Sequence, residues 1–257
     1  MAGRWRLTLV RWAQTVAGPL MVLALWELLS RTGVLEPRFF PPPSEVARTM
    51  GRMLASGELL EDTWVSVARV VGGFVLGSVP AVALGMMMGM WQPLRLLLMP
   101  VASAIYPVPK IAVLPLTVII FGLGETSKVV LVAISVFFLV LLNTVTGVLN
   151  TERTYFDVGR NLGASRWQLL ATVAFPGALP MIFAGLKLAM GFALIVIVGT
   201  EFLAARNGVG ELIWRSYQTF DIKSMYVGLL VTALLGWLFI IIFDMLERWV
   251  IRWKPLA

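Results

Sequence analysis

Six stretches of this chain are long and apolar enough to cross a lipid bilayer, near 12–30, 67–90, 98–122, 126–148, 179–203 and 226–249. A helix needs about 20 apolar residues to span the hydrocarbon core, because in lipid every backbone N–H and C=O must find its partner within the segment. The pattern predicts an all-α membrane protein of about six transmembrane helices. Composition agrees, with 59% of the 257 residues hydrophobic and only 14% charged, against roughly 25% charged in a soluble domain. There is no cysteine and no histidine, which removes disulfides, thiolate chemistry and imidazole-based metal or acid–base sites. The net charge of +7 comes from Lys and Arg scattered through connecting segments. No basic run with interleaved aromatics exists, so no nucleic-acid partner is expected.

Arg4, Arg6 and Arg11 precede the first stretch and only Arg31 follows it closely. A Lys/Arg excess marks the cytoplasmic side, so with six spans both termini are expected in the cytoplasm. No small-x-small cleavage site follows that stretch, so it is expected to persist as a span. The third and fourth stretches are joined by Gly122-Leu123-Gly124-Glu125, a tight turn suited to a helical hairpin. Between the first two, Phe39 to Pro43 is predicted extended, since proline fixes φ and restricts its predecessor. Ser44 is predicted to cap an amphipathic helix over Glu45–Leu54 on the outer membrane surface. No internal repeat or low-complexity tract appears, and one transmembrane domain over 1–257 is expected.

Three spans carry features beyond hydrophobicity. The second has small residues at every fourth position, Gly73, Gly77, Ala81, Gly85 and Gly89. Such a ridge lets helix backbones approach closely, either within the chain or at a sliding subunit interface. The third is interrupted by Pro107, Pro109 and Pro115, with Lys110 among them. It is either a broken helix beside a transport path or a cytoplasmic connection over 91–110 with a span starting near Ile111. The fifth carries Lys187 and Glu201, about 40° apart around the helix and roughly 21 Å apart along it. Gly191, Leu194 and Val198 share that stripe. Ionisable groups in a span tend to face a bundle interior or watery cavity; the alternative is Lys187 snorkelling to headgroups and Glu201 reaching the outer surface.

Gly122 to Lys128 shares residues with a phosphate-binding loop, but it lacks the glycine before the lysine and joins two apolar spans. No paired-carboxylate, metal-spaced or nucleophile constellation is present. The chain is not expected to be an enzyme or to bind a cofactor. The longest polar stretch on the presumed cytoplasmic side is Thr151–Pro180, which reads as two short helices around Leu162-Gly163-Ala164-Ser165. It suits either insertion into a partner's groove or an amphipathic helix lying on the membrane.

This stretch resembles the EAA motif of ABC importer permeases: EAA, three residues, Gly, nine residues, then I-x-L-P. Asp157-Val158-Gly159 occupies the EAA positions, Gly163 the glycine and Val173-Ala174-Phe175-Pro176 the closing positions. The spacing matches throughout, while Glu has become Asp and both alanines have changed. Phe40 to Ser44, Ser66 to Arg69 with Gly73-Phe74, Pro107 to Leu116, Phe121 to Lys128, Thr200-Glu201 and Gly208-Val209-Gly210 resemble the nitrate/sulfonate/taurine-type branch of these permeases.

The resemblance implies the type I importer fold, with a coupling helix within 151–178 on the cytoplasmic side. It implies a multi-pass protein of the bacterial inner membrane that works with a second copy of itself, two ATPase subunits, a periplasmic or lipid-anchored substrate-binding protein and the surrounding lipid. ATP and Mg would bind at the partner ATPase, none to this chain. Arg160, Gly163, Ala164 and Ser165 would meet the ATPase, Asp157 would fix the segment and Pro176 would close the motif. Pro107, Pro109, Lys187, Gly191, Leu194, Val198 and Glu201 are the pathway candidates. A cationic Lys187 would suit an anion such as a sulfonate, taurine or nitrate, although the branch also carries vitamin precursors and aromatic acids. An ion-coupled secondary transporter would show carboxylates in mid-span and an inverted repeat, and the sequence displays neither.

Overall fold

The structure, a computed structural model, describes residues 2–253, with side chains described from residue 17 onward. Every regular element among the described residues is helical. Helix α1 covers Ala2–Arg31; the first expected span, 12–30, thus begins on residues 12–16, whose side chains lie outside the described ones. Helix α2 covers Pro43–Ser56 and α3 covers Glu58–Met90. Helix α4, Gln92–Ile105, is followed by a 3-10 turn at Lys110–Val113 and by α5, Leu114–Phe121. Then come α6 (Glu125–Leu149), α7 (Arg153–Asn161), α8 (Arg166–Leu169), a π turn (Leu170–Ala174), α9 (Phe175–Ala204), α10 (Val209–Gln218) and α11 (Ile222–Val250).

Among the described residues, four helical runs, Glu58–Met90, Glu125–Leu149, Arg166–Ala204 and Ile222–Val250, are long and apolar enough to cross a membrane. The third expected span, 98–122, is not one helix. Its two halves, Gln92–Ile105 and Lys110–Phe121, meet at 91° and make a fifth candidate only if taken together. Pro107 and Pro109 lie in the break, where neither can donate a backbone hydrogen bond to continue α4.

The chain divides into two compact units, residues 1–61 with 212–230, and residues 62–211 with 231–257. In the first unit, Ser44 does not cap α2. Pro43 opens the helix, its preset φ suiting the first turn. The Ser44 backbone N–H donates to Glu27 Oε2 at 3.0 Å and its hydroxyl to Glu27 Oε1 at 2.8 Å. A carboxylate from α1 thus caps α2, joining a hydrogen bond to the charge that a helix N-terminus favours. Pro42 is extended, with φ −59° and ψ 139°, whereas the N–H groups of Phe39 and Phe40 both donate to the Glu36 carbonyl in a turn. Lys223 Nζ pairs with Glu45 at 2.7 Å, and its hydrogen bond and charge hold the Glu45 carboxyl below its ordinary pKa.

The second unit is built on α6, whose Leu131, Val132, Val136, Val140 and Val145 are fully enclosed. The small-residue ridge of α3 faces it. A methyl group on Gly73 would strike Val132 at 2.6 Å and one on Gly85 would strike Thr144 at 2.7 Å, while Gly77 and Gly89 meet Ala133 and Val148 in turn. The ridge is therefore an intramolecular packing surface, and α3 runs parallel to α6. On another side Gly147 abuts Ala178 and Gly185 abuts Asn143, which sets α9 antiparallel to α6. In lipid no hydrophobic force drives helices together, so this close approach supplies the van der Waals contact that does.

Candidate functional site

At the break after α4, the helix's last carbonyls have no partner within the helix. Lys110 supplies one: its Nζ donates to the carbonyls of Ile105, Tyr106 and Val108 at 2.9, 2.9 and 2.8 Å. A cation at a helix C-terminus also meets the negative end of the helix dipole. The same ammonium stands 5.5 Å from the centre of the Phe138 ring, within cation–π range. Pro107, Pro109 and Lys110 border a cleft of about 360 Å³ whose far wall is Ser135 and Leu139 of α6 and Phe192, Ile195 and Val196 of α9. Gly191 leaves open space beside Phe192, whereas Leu194 is buried and Val198 half-buried.

The stripe from Lys187 to Glu201 does not present a free cation and a free anion. Lys187 Nζ is bracketed by Asp244 and by Glu247, the latter at 2.6 Å, both from α11. Two carboxylates more than cancel one ammonium. Glu201 is wholly buried, and neither lines the cleft nor reaches the surface. Its carboxylate accepts from the Ser66 hydroxyl at 2.8 and 2.9 Å, from Arg69 Nη1 at 2.7 Å and from the Gly210 N–H at 2.8 Å.

Arg69, only 3% exposed, uses every donor it has. Besides Glu201, it holds Glu125 in a bidentate pair and donates to the backbone and side-chain oxygens of Asn207 at 2.8 Å each. Lys128 adds a bond to Glu125 at 3.3 Å, and Asp62 accepts from the Gly208 N–H at 2.8 Å. Burying charges is tolerable only when they are paired and their remaining hydrogen-bonding groups are satisfied; here they are. Gly208 is required twice over: its φ is +119°, and a methyl group there would lie 2.5 Å from Glu201 Oε1. This cluster ties α3, α6, α9 and the loop before α10 together. Its members come from separate segments of the chain, and no local pattern joins them. The available signal was opposite charges, Arg69 and Glu201, within apolar spans, each needing a partner.

The segment 153–178 folds as two short helices around a glycine-centred corner. Gly163 has φ +79°. Its N–H donates to Arg160 O at 2.9 Å, and the Ala164 N–H donates to Gly159 O at 3.0 Å. That is the pair of bonds of a Schellman stop, which needs a left-handed residue at the turn. Ser165 then caps α8, accepting from the Gln168 N–H at 3.3 Å while the Gln168 side chain accepts from the Ser165 N–H at 2.7 Å, a reciprocal capping box. Gly159, at the last EAA position, lets α7 sit on α8: a methyl group there would meet the tip of Leu169 at 2.6 Å. Asp157 and Arg160 are exposed and pair with each other at 3.2 Å. Tyr155, Val158, Leu162 and Trp167 are also exposed, Leu162 by 82%. The π turn ends just before Phe175-Pro176; widening the helix there relieves the clash of the Pro176 ring with the carbonyl of Thr172.

Residues 81–254 match the family described as binding-protein-dependent transport system inner membrane component. The chain belongs to that family. This permease is 30% identical to the taurine transport system permease protein TauC of Escherichia coli, over 97% of this chain and 93% of that one. It is 33% identical to the riboflavin transport system permease protein RibX of Chloroflexus aurantiacus, over 91% of this chain and 88% of that one. Its fold matches a chain of the MetNI methionine ABC transporter in inward-facing conformations, with TM-score 0.70 and 18% identity over 76% of this permease and 97% of that chain. The permease is thus a multi-pass, all-α membrane protein of the ABC importer class.

Proposed function

We propose that this permease pairs with a second copy of itself to form the path of an ATP-driven importer, and that the corner at Gly163 seats in a separate ATPase subunit. The observation that supports this best is the corner's exposed apolar edge, Tyr155, Val158, Leu162 and Trp167. Clustered apolar side chains on an otherwise polar surface mark a contact site. Asp157, Arg160 and Ser165 frame that edge with polar groups, and Ala164 adds little bulk. Helical backbone runs from Arg166 to Ala204 without a gap. A displacement of the corner therefore reaches the cleft wall at Phe192 and Val196, through the joint at Pro176, as a rigid shift of packed helices.

In this arrangement ATP and Mg bind to the ATPase and none to the permease. A periplasmic or lipid-anchored binding protein delivers substrate on the opposite face, and both termini share the ATPase's side. Pro107, Pro109 and Gly191 line the path. Lys187 anchors α9 near its middle and Glu201 near its C-terminal end, with Leu194 and Val198 packing between them. The substrate is a small anion such as taurine, another sulfonate or nitrate, in line with the name of the taurine permease relative. The relative named for riboflavin supports a second reading, an aromatic or vitamin-like substrate.

The test is co-purification with the ATPase and ATP-driven uptake in proteoliposomes for Leu162→Asp and Trp167→Ala. Both side chains are exposed, so the fold should persist. Losing a central apolar anchor of an interface costs more than about 1.4 kcal/mol, a factor of about ten. We expect both readouts to fall by at least that factor at unchanged permease yield. Full uptake in Leu162→Asp would overturn the docking assignment.

A further inference from the structure

The geometry points to Lys110 as the residue by which the cleft selects its substrate, and to a small organic oxoanion with a short apolar tail as the molecule it takes. This rests on the importer reading above and goes further, since it assigns the selectivity to one side chain of the permease itself.

Three other cations of the same unit have their charge cancelled. Arg69 faces Glu125 and Glu201, Lys128 faces Glu125, and Lys187 faces Asp244 and Glu247. Lys110 does not: its partners are three carbonyl oxygens and a ring face. Carbonyl dipoles solvate an ammonium but leave its net charge in place. Lys110 is half-exposed at the border of the cleft, so a solute that enters meets this charge directly. A cationic substrate is repelled there, and a neutral one finds nothing to answer the charge.

The donors follow the same logic. An ammonium has three N–H groups, and all three are spent on carbonyls. An oxoanion entering the cleft draws one of them away from a carbonyl, exchanging a bond to a neutral acceptor for one to a charged acceptor, which is the stronger kind. Pro107 and Pro109, just before it, contribute no backbone N–H, so the elbow offers a solute this ammonium and the Tyr106 hydroxyl, and only the ammonium carries charge. The other walls are Leu139, Phe192, Ile195 and Val196, with Ser135 spending its hydroxyl on the Leu131 carbonyl, and they ask for an apolar tail. The cleft's size of about 360 Å³ lies at the small end of ligand sites, which fits a compact solute.

The experiment uses the full-length permease in lipid nanodiscs, titrated calorimetrically with butanesulfonate and with its neutral isostere butanesulfonamide. Wild type is expected to bind the sulfonate at least about tenfold more tightly than the sulfonamide. Lys110→Met should abolish that preference, Lys110→Arg should keep most of it, and Lys223→Met, in an exposed pair that does not line the cleft, should leave it unchanged. No preference in wild type, or an undiminished preference in Lys110→Met, overturns the assignment. If Lys110→Met does not fold, Lys110→Gln takes its place, and the wild-type ratio of the two probes still decides against the proposal when it is near one. Failure of the importer reading would appear elsewhere, in lost ATPase association or ATP-driven uptake of wild type, which the titration does not measure.

Discussion

Arg69 and Lys110 are both cations lodged among apolar helices, and they are held in opposite ways. Arg69 is closed in by two carboxylates, an amide and a backbone carbonyl, with no donor left over. Lys110 is held by carbonyls alone, at the edge of a cleft. The first arrangement is a lock, since its charges are spent on each other and removing one strands the rest. The second retains a charge that a ligand can use. What such a cation does depends on whether its neighbours cancel its charge or only solvate it.

The sharpest way to break this contrast is to remove one partner of the lock. Arg69→Met should destabilise the protein by about 3–5 kcal/mol, because Glu201 is left buried and unpaired. The double variant Arg69→Met with Glu201→Gln should recover more than half of that loss, as measured by thermal unfolding in detergent. A double variant as unstable as the single would mean that packing, not the stranded charge, sets the cost. Next in size is Gly77→Leu on the ridge that brings α3 against α6 beside the lock. Overpacking of this kind costs about 1–3 kcal/mol, and a neutral result would show that α3 can move off α6.

Lys110→Met should cost only about 1–2 kcal/mol. It strands carbonyls that border an open cleft, and neutral hydrogen-bonding groups are cheaper to strand than a charge. A loss equal to that of Arg69→Met would place Lys110 among the locks. The smallest effect belongs to the exposed pair Glu45–Lys223, whose two side chains are 40% and 49% exposed. The Glu45 pKa is lowered in the folded protein, so the pair contributes above the ordinary carboxylate pKa and the contribution is lost as pH falls through the folded value. Melting temperatures of wild type and Lys223→Met should therefore differ at pH 7 and converge as the pH falls below the carboxylate range.

Much of the fold was legible because lipid makes strong demands. Uninterrupted apolar runs marked α6, α9 and α11 to within a few residues, and the four-residue spacing of Gly73, Gly77, Gly85 and Gly89 marked a face that must meet another backbone. The glycine-centred corner at 163 was legible because its signals are local: a left-handed stop, then a serine cap with glutamine three residues on. Ser44 was misread for the converse reason. The carboxylate that caps α2 comes from Glu27, seventeen positions away in another helix. The third stretch was legible as interrupted, from its prolines, but its 91° bend was not, because hydropathy does not register the direction in which a chain leaves two closely spaced prolines.

The sequence by itself determined the membrane-spanning class, the family and the corner at Gly163, because these rest on local composition, short-range hydrogen bonding and motif spacing. Only the tertiary structure decided which charges face which. It gave Lys187 to α11 and Glu201 to Arg69, and it left Lys110 as the cation beside the cleft. Electrostatic partners in a low-dielectric interior are chosen by distance in space, and in this chain the partners of Arg69 lie 56 and 132 positions away.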